Sequence, residues 1–423
     1  MGSKARFKGR ERRLLRRNAK VGLAAPLRLF PSSLTFPHFV PCRTPWVGRN
    51  HPAGPSKCPP FVGKPRQGSK GIMKRVFFAG MKTKLSWGII GTGNIARQFC
   101  AGVNTSRRGR LMAVGSRGAA SAAAFAATHH IPNPHGSYEE LLVDKSVEAV
   151  YISLPNTMHR EWTIKALQAG KHVLCEKPFA ANTADSEEMF DVADKLGMVL
   201  IEAFMYRAHP LTQAVMASYR RGDIGELQLI RTSFCYRTTR IDGNIRFDPA
   251  LAGGGLMDIG CYCINFSRFF AGEEPSSVCA VAIKHSGGVD RVAVGMMVFP
   301  RGIVASFTCG MSVQADNTAY LCGEEGYIEI PIPWKPPAVG ARFSVVRATP
   351  PRMDQAGLAA TGSVANSGPR QTFTVDANMD LYGLEADDFA ATVLDRKAPM
   401  LTRADTLGNM RVLDEMRRQA GRC

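Results

Sequence analysis

The chain has 423 residues, 45% of them hydrophobic and 21% charged, which is the composition of a globular protein of two or three domains and excludes a fibrous or wholly disordered class. The net charge of +19 suggests a nucleic-acid binder until its distribution is read: residues 1–80 hold 18 of the 54 Lys/Arg and one of the 35 Asp/Glu, so the rest carries 36 against 34. A nearly neutral body gives no basic footprint for nucleic acid, and no apolar run reaches the length of about 18 residues that a membrane helix needs.

Residues 1–80 are rich in Arg and hold ten of the 26 prolines. Such a segment buries too little apolar surface to offset its ordering entropy and is expected to be a disordered basic extension. Pro31, Pro37, Pro41 and Pro45 interrupt the amphipathic helix of a transit peptide. Arg12-Arg13 and Arg16-Arg17 resemble a twin-arginine signal, but Arg28 breaks the apolar region that should follow. Met81 directly precedes the first strand pattern and is the expected start of the folded part. The eleven cysteines form no CxxC pair, so neither zinc spacing nor a disulfide framework is expected, and no metal site. Free thiols imply a reducing compartment, hence a cytoplasmic protein.

From Leu85 strands alternate with helices. Strands are expected at 85–90, 111–116, 149–154, 172–175 and 198–201, and helices at 94–103, 119–129, 158–169 and 182–196. The strands are continuous apolar runs, as in a parallel sheet covered on both faces. Residues 81–204 therefore form a doubly wound, right-handed α/β domain. Beyond 205 the order changes. A helix near 209–220 leads to a strand at 226–236, a Gly-rich loop and a helix near 256–270. Strand patterns follow at 276–284, 290–299, 302–310, 316–322 and 326–330, joined by short turns such as Phe299-Pro300-Arg301-Gly302. Residues 205–423 are thus an α+β domain with a mainly antiparallel open sheet, bearing a long loop insertion near 333–372 and closing helices near 378–395 and 402–419.

Gly91-Thr92-Gly93-Asn94-Ile95-Ala96 lies after the first strand and opens the first helix. Gly91 permits a tight turn, Gly93 lets backbone approach a pyrophosphate, and Ala96 lets helix and strand pack closely; this is the dinucleotide fingerprint of a Rossmann domain. At the end of the second strand an acid would bind a ribose 2′-hydroxyl. Ser116-Arg117 stands there instead, a hydroxyl and a cationic fork suited to the 2′-phosphate of NADP, with NAD as the alternative. A later strand ends in Cys175-Glu176-Lys177-Pro178, which puts Lys177 beyond a carboxyl end of the sheet, where a charged amine favours an alkoxide developing as hydride leaves. The Lys177–Pro178 bond is a candidate cis peptide.

These motifs, with Pro155-Asn156-x-x-His159 and Gly254-Gly255-x-x-Asp258-x-Gly260-x-Tyr262, resemble in order and spacing the glucose-fructose oxidoreductase/inositol dehydrogenase (Gfo/Idh/MocA) family over residue 84 to the end. The branch resembled most is that of dihydrodiol dehydrogenases and NADP-dependent D-xylose 1-dehydrogenases. The resemblance implies Lys177 beside the nicotinamide and the reacting hydroxyl, Tyr262 as general acid/base, and Asp258 hydrogen-bonding substrate or orienting Tyr262. Lys177 is expected to lower the tyrosine pKa from its usual value of about 10. Leu154, Pro155, Asn156, His159 and Glu176 are expected to line the cofactor pocket. His159, Arg207 and Arg246 are candidate substrate contacts, with an inter-domain salt bridge as the alternative for Arg207. The implied protein is an NADP(H)-dependent dehydrogenase of a sugar, polyol or dihydrodiol, assembled as a homodimer or higher oligomer through its open sheet. The alternatives are an NAD-dependent, redox-assisted glycosidase and a non-catalytic dinucleotide sensor.

Overall fold

The computed structural model describes residues 83–348 and 367–421. The expectations for residues 1–80 lie outside these. The first layer is a six-stranded sheet of β1 (Leu85–Ile90), β2 (Gly109–Gly115), β3 (Asn133–His135), β4 (Ala149–Ile152), β5 (His172–Glu176) and β6 (Leu200–Ala203). Their order is β3-β2-β1-β4-β5-β6 and every pairing is parallel. All of β1, β4 and β6 is buried, which is why they read as unbroken apolar runs. Helices α1 (Asn94–Thr105), α2 (Ala119–His129), α3 (Tyr138–Val143), α4 (His159–Gln168) and α5 (Thr183–Leu196) connect the strands. Local signals fix their ends: Asn182 accepts from Asp185 N at 2.9 Å to start α5, and Gly197, with φ of 65°, stops it. Two of these elements, β3 and α3, were not expected. Asn133-Pro134-His135 is too short to show a period, and Pro134 is tolerated because β3 is an edge strand.

The second layer is an eight-stranded sheet. After α6 (Pro210–Arg220) it comprises β7 (Leu227–Cys235), β8 (Ser277–Lys284), β9 (Asp290–Val298), β10 (Val304–Gly310), β11 (Ala319–Gly323), β12 (Gly326–Ile330), β13 (Ala341–Ala348) and β14 (Ser367–Val375). The order is β14-β13-β12-β11-β7-β10-β9-β8, antiparallel except for β7 against β10. The strands β13 and β14 take up 341–348 and 367–372 of the long loop expected over 333–372. Phe343 of β13 stacks on Phe373 of β14 with ring centroids 4.9 Å apart, and Phe343 to Val346 are all buried. A strand buried on both faces shows no period of two, and its Pro- and Gly-rich flanks read as loop.

The expected helix near 256–270 begins as a π-helical turn, Leu256–Gly260, and continues as α7 (Cys261–Ala271). Two helices close the chain, α8 (Leu381–Asp395) and α9 (Arg403–Ala420), the latter started by a Thr402/Asp405 capping box. Helix α8 returns to the first layer and packs on α1. Phe389 meets Trp87 of β1 at 5.0 Å, and the Asp387 carboxylate accepts from the Ser106 hydroxyl and from Arg108 N at 2.9 Å.

Candidate functional site

A cavity of about 870 Å³ opens between the carboxyl ends of the first sheet and the inner face of the second. That volume suits a small-molecule site. Its first-layer wall includes Gly93, Asn94, Ile95, Ser153, Leu154, Asn156, Glu176 and Lys177; its second-layer wall includes Tyr236, Arg246, Asp258, Tyr262 and Trp334.

The glycine turn has the shape a phosphate needs. Gly91 has φ of 102°, and a Cβ there would lie 3.0 Å from Ser153 Oγ. A Cβ on Gly93 would meet nothing within 4 Å, so the space above that backbone is clear. No side chain caps α1 at Gly93, and its first turn holds no acid, which leaves N–H groups and the positive end of the helix facing the cavity. Ala96 is fully buried behind them, and Thr92 Oγ1 lies 3.4 Å from Ser121 Oγ. Ser116 follows β2, with its N–H on the His135 carbonyl at 3.2 Å, and Arg117 beside it is exposed and acts electrostatically on Tyr138. A hydroxyl and an exposed guanidinium therefore stand just beyond the end of β2.

At the centre, Lys177 Nζ donates to the Asp258 carbonyl at 2.8 Å and lies 3.4 Å from Asp258 Oδ1. The second carboxylate oxygen, Oδ2, accepts from the Tyr236 hydroxyl at 2.7 Å and pairs with Arg246 Nε at 3.0 Å. Burial would raise the Asp258 pKa, but the charges of Lys177 and Arg246 and the Tyr236 hydrogen bond outweigh it and bring it to about 2. Burial is also the largest single influence on Lys177 and lowers its pKa. Asp258, Cys261 and Glu176 together reverse that, so the ammonium is held above its ordinary value. Glu176 points away from the cavity centre: its carboxylate accepts from the buried Tyr151 hydroxyl and from Lys177 N at 3.2 Å. The Lys177–Pro178 peptide is cis.

Tyr262 lies on α7 one turn beyond Asp258, and its ring sits 5.0 Å from Lys177 Nζ. Its electrostatics reverse the expectation. The residue is 3% exposed, packed edge-on against Phe204 and Phe234, and its hydroxyl contacts Met205 Sδ at 3.3 Å. Burial, followed by the negative charge of Glu176, pushes its pKa well above the usual tyrosine value, opposite to the expected lowering.

Two expected substrate contacts stand outside the cavity. His159 is fully buried, with Nδ1 3.0 Å from the Pro178 carbonyl and Nε2 2.9 Å from the Leu154 carbonyl; it ties the end of β4 to the turn bearing Lys177. Burial lowers its pKa, and the hydrogen bonds to the backbone carbonyls act against that. Arg207 is 5% exposed; it donates to Asn265 Oδ1 at 3.3 Å and the Met400 carbonyl at 3.1 Å and stacks on Phe269 at 3.7 Å. Among the described residues its partners are an amide, a carbonyl and a ring, so the alternative salt bridge is not formed there. Pro155 caps the turn Asn156–Met158, and Asn156 Nδ2 crosses to the Ala252 carbonyl at 2.9 Å. Among the described residues no group of three or more His, Cys, Asp and Glu could hold a metal ion. Sequence reasoning missed Tyr236, at the end of β7, and the pair Gln98 and Lys335; none of the three belongs to a local motif.

Known proteins resemble this chain in both layers. The family model of the oxidoreductase family with NAD-binding Rossmann fold, GFO/IDH/MocA, matches residues 85–204, and that of the GFO/IDH/MocA C-terminal domain matches residues 212–329. Bovine trans-1,2-dihydrobenzene-1,2-diol dehydrogenase is 36% identical over 256 residues, 60% of this chain and 76% of that protein. A D-xylose 1-dehydrogenase (NADP(+)) of Haloferax volcanii is 31% identical over 330 residues, 78% of this chain and 95% of that one. The crystal structure of KijD10, a 3-ketoreductase from Actinomadura kijaniata in complex with NADP and TDP-benzene, is similar with a TM-score of 0.69 and 28% identity over 79% of this chain and 98% of that one. The chain belongs to the Gfo/Idh/MocA oxidoreductase family.

Proposed function

We propose that the protein is an NADP(H)-dependent dehydrogenase acting on a hydroxyl or carbonyl of a sugar, polyol or dihydrodiol. The observation that carries this reading is the charged Lys177, held by Asp258 inside the cavity that the open end of α1 also lines. The names of the relatives, a dihydrodiol dehydrogenase and an NADP-dependent xylose dehydrogenase, support the substrate class.

Bound NADP(H) would supply or accept the hydride at the nicotinamide ring. The turn Gly91–Ala96 holds the phosphates, Ser116 and Arg117 select the 2′-phosphate, and Leu154 to Asn156 and Glu176 border the nicotinamide end. Lys177 donates a hydrogen bond to the reacting oxygen and stabilises negative charge on it. Asp258 keeps that ammonium charged and aimed. Tyr262, protonated at neutral pH, is an acid: on turning from Met205 it gives its proton to the oxygen of a carbonyl being reduced. Arg246, 46% exposed at the side chain, reaches outer hydroxyls of the substrate.

A homodimer belongs to the same reading. Val281 and Ile283 of β8, Val294, Met296 and Val298 of β9, and Val304 of β10 expose an apolar face on the outer side of the second sheet, with exposures between 37% and 55%. A continuous patch of this kind suits a second copy of the chain. Among the described residues no helix is long and apolar enough to cross a membrane. The eight of the eleven cysteines that lie among them are free thiols, which supports a reducing, cytoplasmic location.

The test is a screen of pure protein against D-xylose, D-glucose, inositol and trans-dihydrodiols with NADP and NAD separately, and against sugar carbonyls with NADPH, following nicotinamide absorbance. Turnover of at least one class with NADP is expected; a protein that binds NADP and turns over none of them sinks the reading.

A further inference from the structure

The cavity is lined by three cations, and two of them share one carboxylate. Lys177 and Arg246 both pair with Asp258. The third, Lys335, has no carboxylate within ion-pair distance among the described residues. It stands on the 331–340 connection that follows β12, and that connection is fastened on both sides of it. Trp334 stacks on Phe234 with centroids 5.4 Å apart and donates from Nε1 to the Ser233 carbonyl at 2.8 Å. His209 Nε2 lies 3.2 Å from the Pro337 carbonyl. From this anchored backbone Lys335 reaches across the cavity mouth to the first layer, where Nζ donates to Gln98 Oε1 on α1 at 3.1 Å.

Gln98 is the second turn of the helix whose uncapped start, Gly93 to Ile95, lines the same cavity. An ammonium held there by a neutral amide has made the weakest bond open to it, since a charged acceptor forms a hydrogen bond about twice as strong. Desolvation, and next the charge of Lys177, pull its pKa below the ordinary lysine value. An anionic group in front of α1 would meet helix N–H groups on one side and Lys335 on the other.

We infer that Lys335 is a cofactor-positioning residue: it exchanges Gln98 for the pyrophosphate of the dinucleotide and so holds the cofactor from the second layer. This rests on the dinucleotide reading above. It adds to the glycine turn a contact that engages the pyrophosphate alone, and therefore does not discriminate NADP from NAD. That discrimination belongs to Arg117, on the far side of β1.

The experiment is equilibrium binding to the full chain, by calorimetry or tryptophan fluorescence, for wild type, Lys335→Ala and Lys335→Arg. The ligands are NADP, NAD and adenosine 2′-monophosphate, which has the 2′-phosphate and lacks the pyrophosphate. Lys335→Ala is expected to weaken NADP and NAD by the same factor, about tenfold, and to leave adenosine 2′-monophosphate unchanged. Lys335→Arg is expected to retain most of the affinity, and unchanged thermal midpoints establish that the variants fold. Dinucleotide affinities within twofold of wild type in Lys335→Ala would overturn the assignment, and so would a loss confined to NADP. Unchanged dinucleotide binding with a raised KM for an acidic sugar would overturn it in favour of a substrate carboxylate. Wild-type protein that binds neither dinucleotide would instead remove the cofactor reading itself, a result distinguishable from all of these.

Discussion

Lys177 on the first layer and Asp258 on the second are joined twice, through the Asp258 carbonyl at 2.8 Å and its carboxylate at 3.4 Å. One lysine thus bridges the two halves of the site, and each half sets the charge of the other. Burial alone would lower the lysine pKa and raise that of the aspartate; together the two move oppositely and both remain ionised.

Lys177→Ala should therefore remove turnover, by roughly 10²-fold or more, while NADP affinity stays near wild type, because the phosphate turn is untouched. Tyr262→Phe should lower carbonyl reduction by a similar factor, read as kcat with KM little changed. Retention of most activity by Tyr262→Phe would mean that the proton comes from another group.

Arg117→Ala should weaken NADP far more than NAD, since an exposed guanidinium beside Ser116 matters to a 2′-phosphate and not to a hydroxyl. The ratio of the two dissociation constants is the measurement. Equal losses would contradict the assignment of the 2′-phosphate to this residue.

Glu202, 2% exposed on β6, accepts from Phe179 N at 3.1 Å, and burial pushes its pKa up to about 8. A carboxyl raised in the folded state contributes stability below its unfolded value of 4.5 and loses it as pH rises through about 8. The loss is up to about 1.4 kcal/mol per pH unit across that window. Glu202→Gln keeps the acceptor for Phe179 and removes the ionisation, so its urea midpoint should exceed wild type at pH 8 and match it near pH 5. Parallel profiles for the two proteins would contradict this.

Gly254 has φ of 125°, and a Cβ there would collide with the Asp290 carboxylate, which accepts from Leu256 N at 2.6 Å to start the helix carrying Asp258 and Tyr262. Gly254→Ala should cost about 2 kcal/mol or more of stability and most of the turnover. NADP affinity measured on the folded fraction should change little, since the phosphate turn is elsewhere. Near-normal turnover would show that the helix start tolerates displacement.

The parallel sheet was legible because strands buried on both faces leave apolar runs, and the glycine turn because its context on both sides is local. What depended on partners far along the chain was not. The strands β13 and β14 stabilise each other through Phe343 and Phe373, a pairing no window of sequence contains. Motif position put His159 near the pocket, but only the fold shows its ring turned onto the Leu154 and Pro178 carbonyls. The pKa of Tyr262 was misjudged because proximity to Lys177 was weighed without the aromatic wall that desolvates it. Tyr236 and Lys335 come to the cavity from elements that read as an ordinary strand end and an ordinary Pro-rich loop.

The return of α8 to α1 has a practical meaning for anyone dividing this protein. Excising residues 83–204 as a free-standing nucleotide-binding fragment would uncover Trp87 where Phe389 now lies and strip the Asp387 carboxylate from the Ser106 hydroxyl and Arg108 N. The front half is finished by amino acids synthesised nearly three hundred positions later. Its last buried surface closes only once α8 has been made, and a stop anywhere before α8 would leave the first layer unfinished.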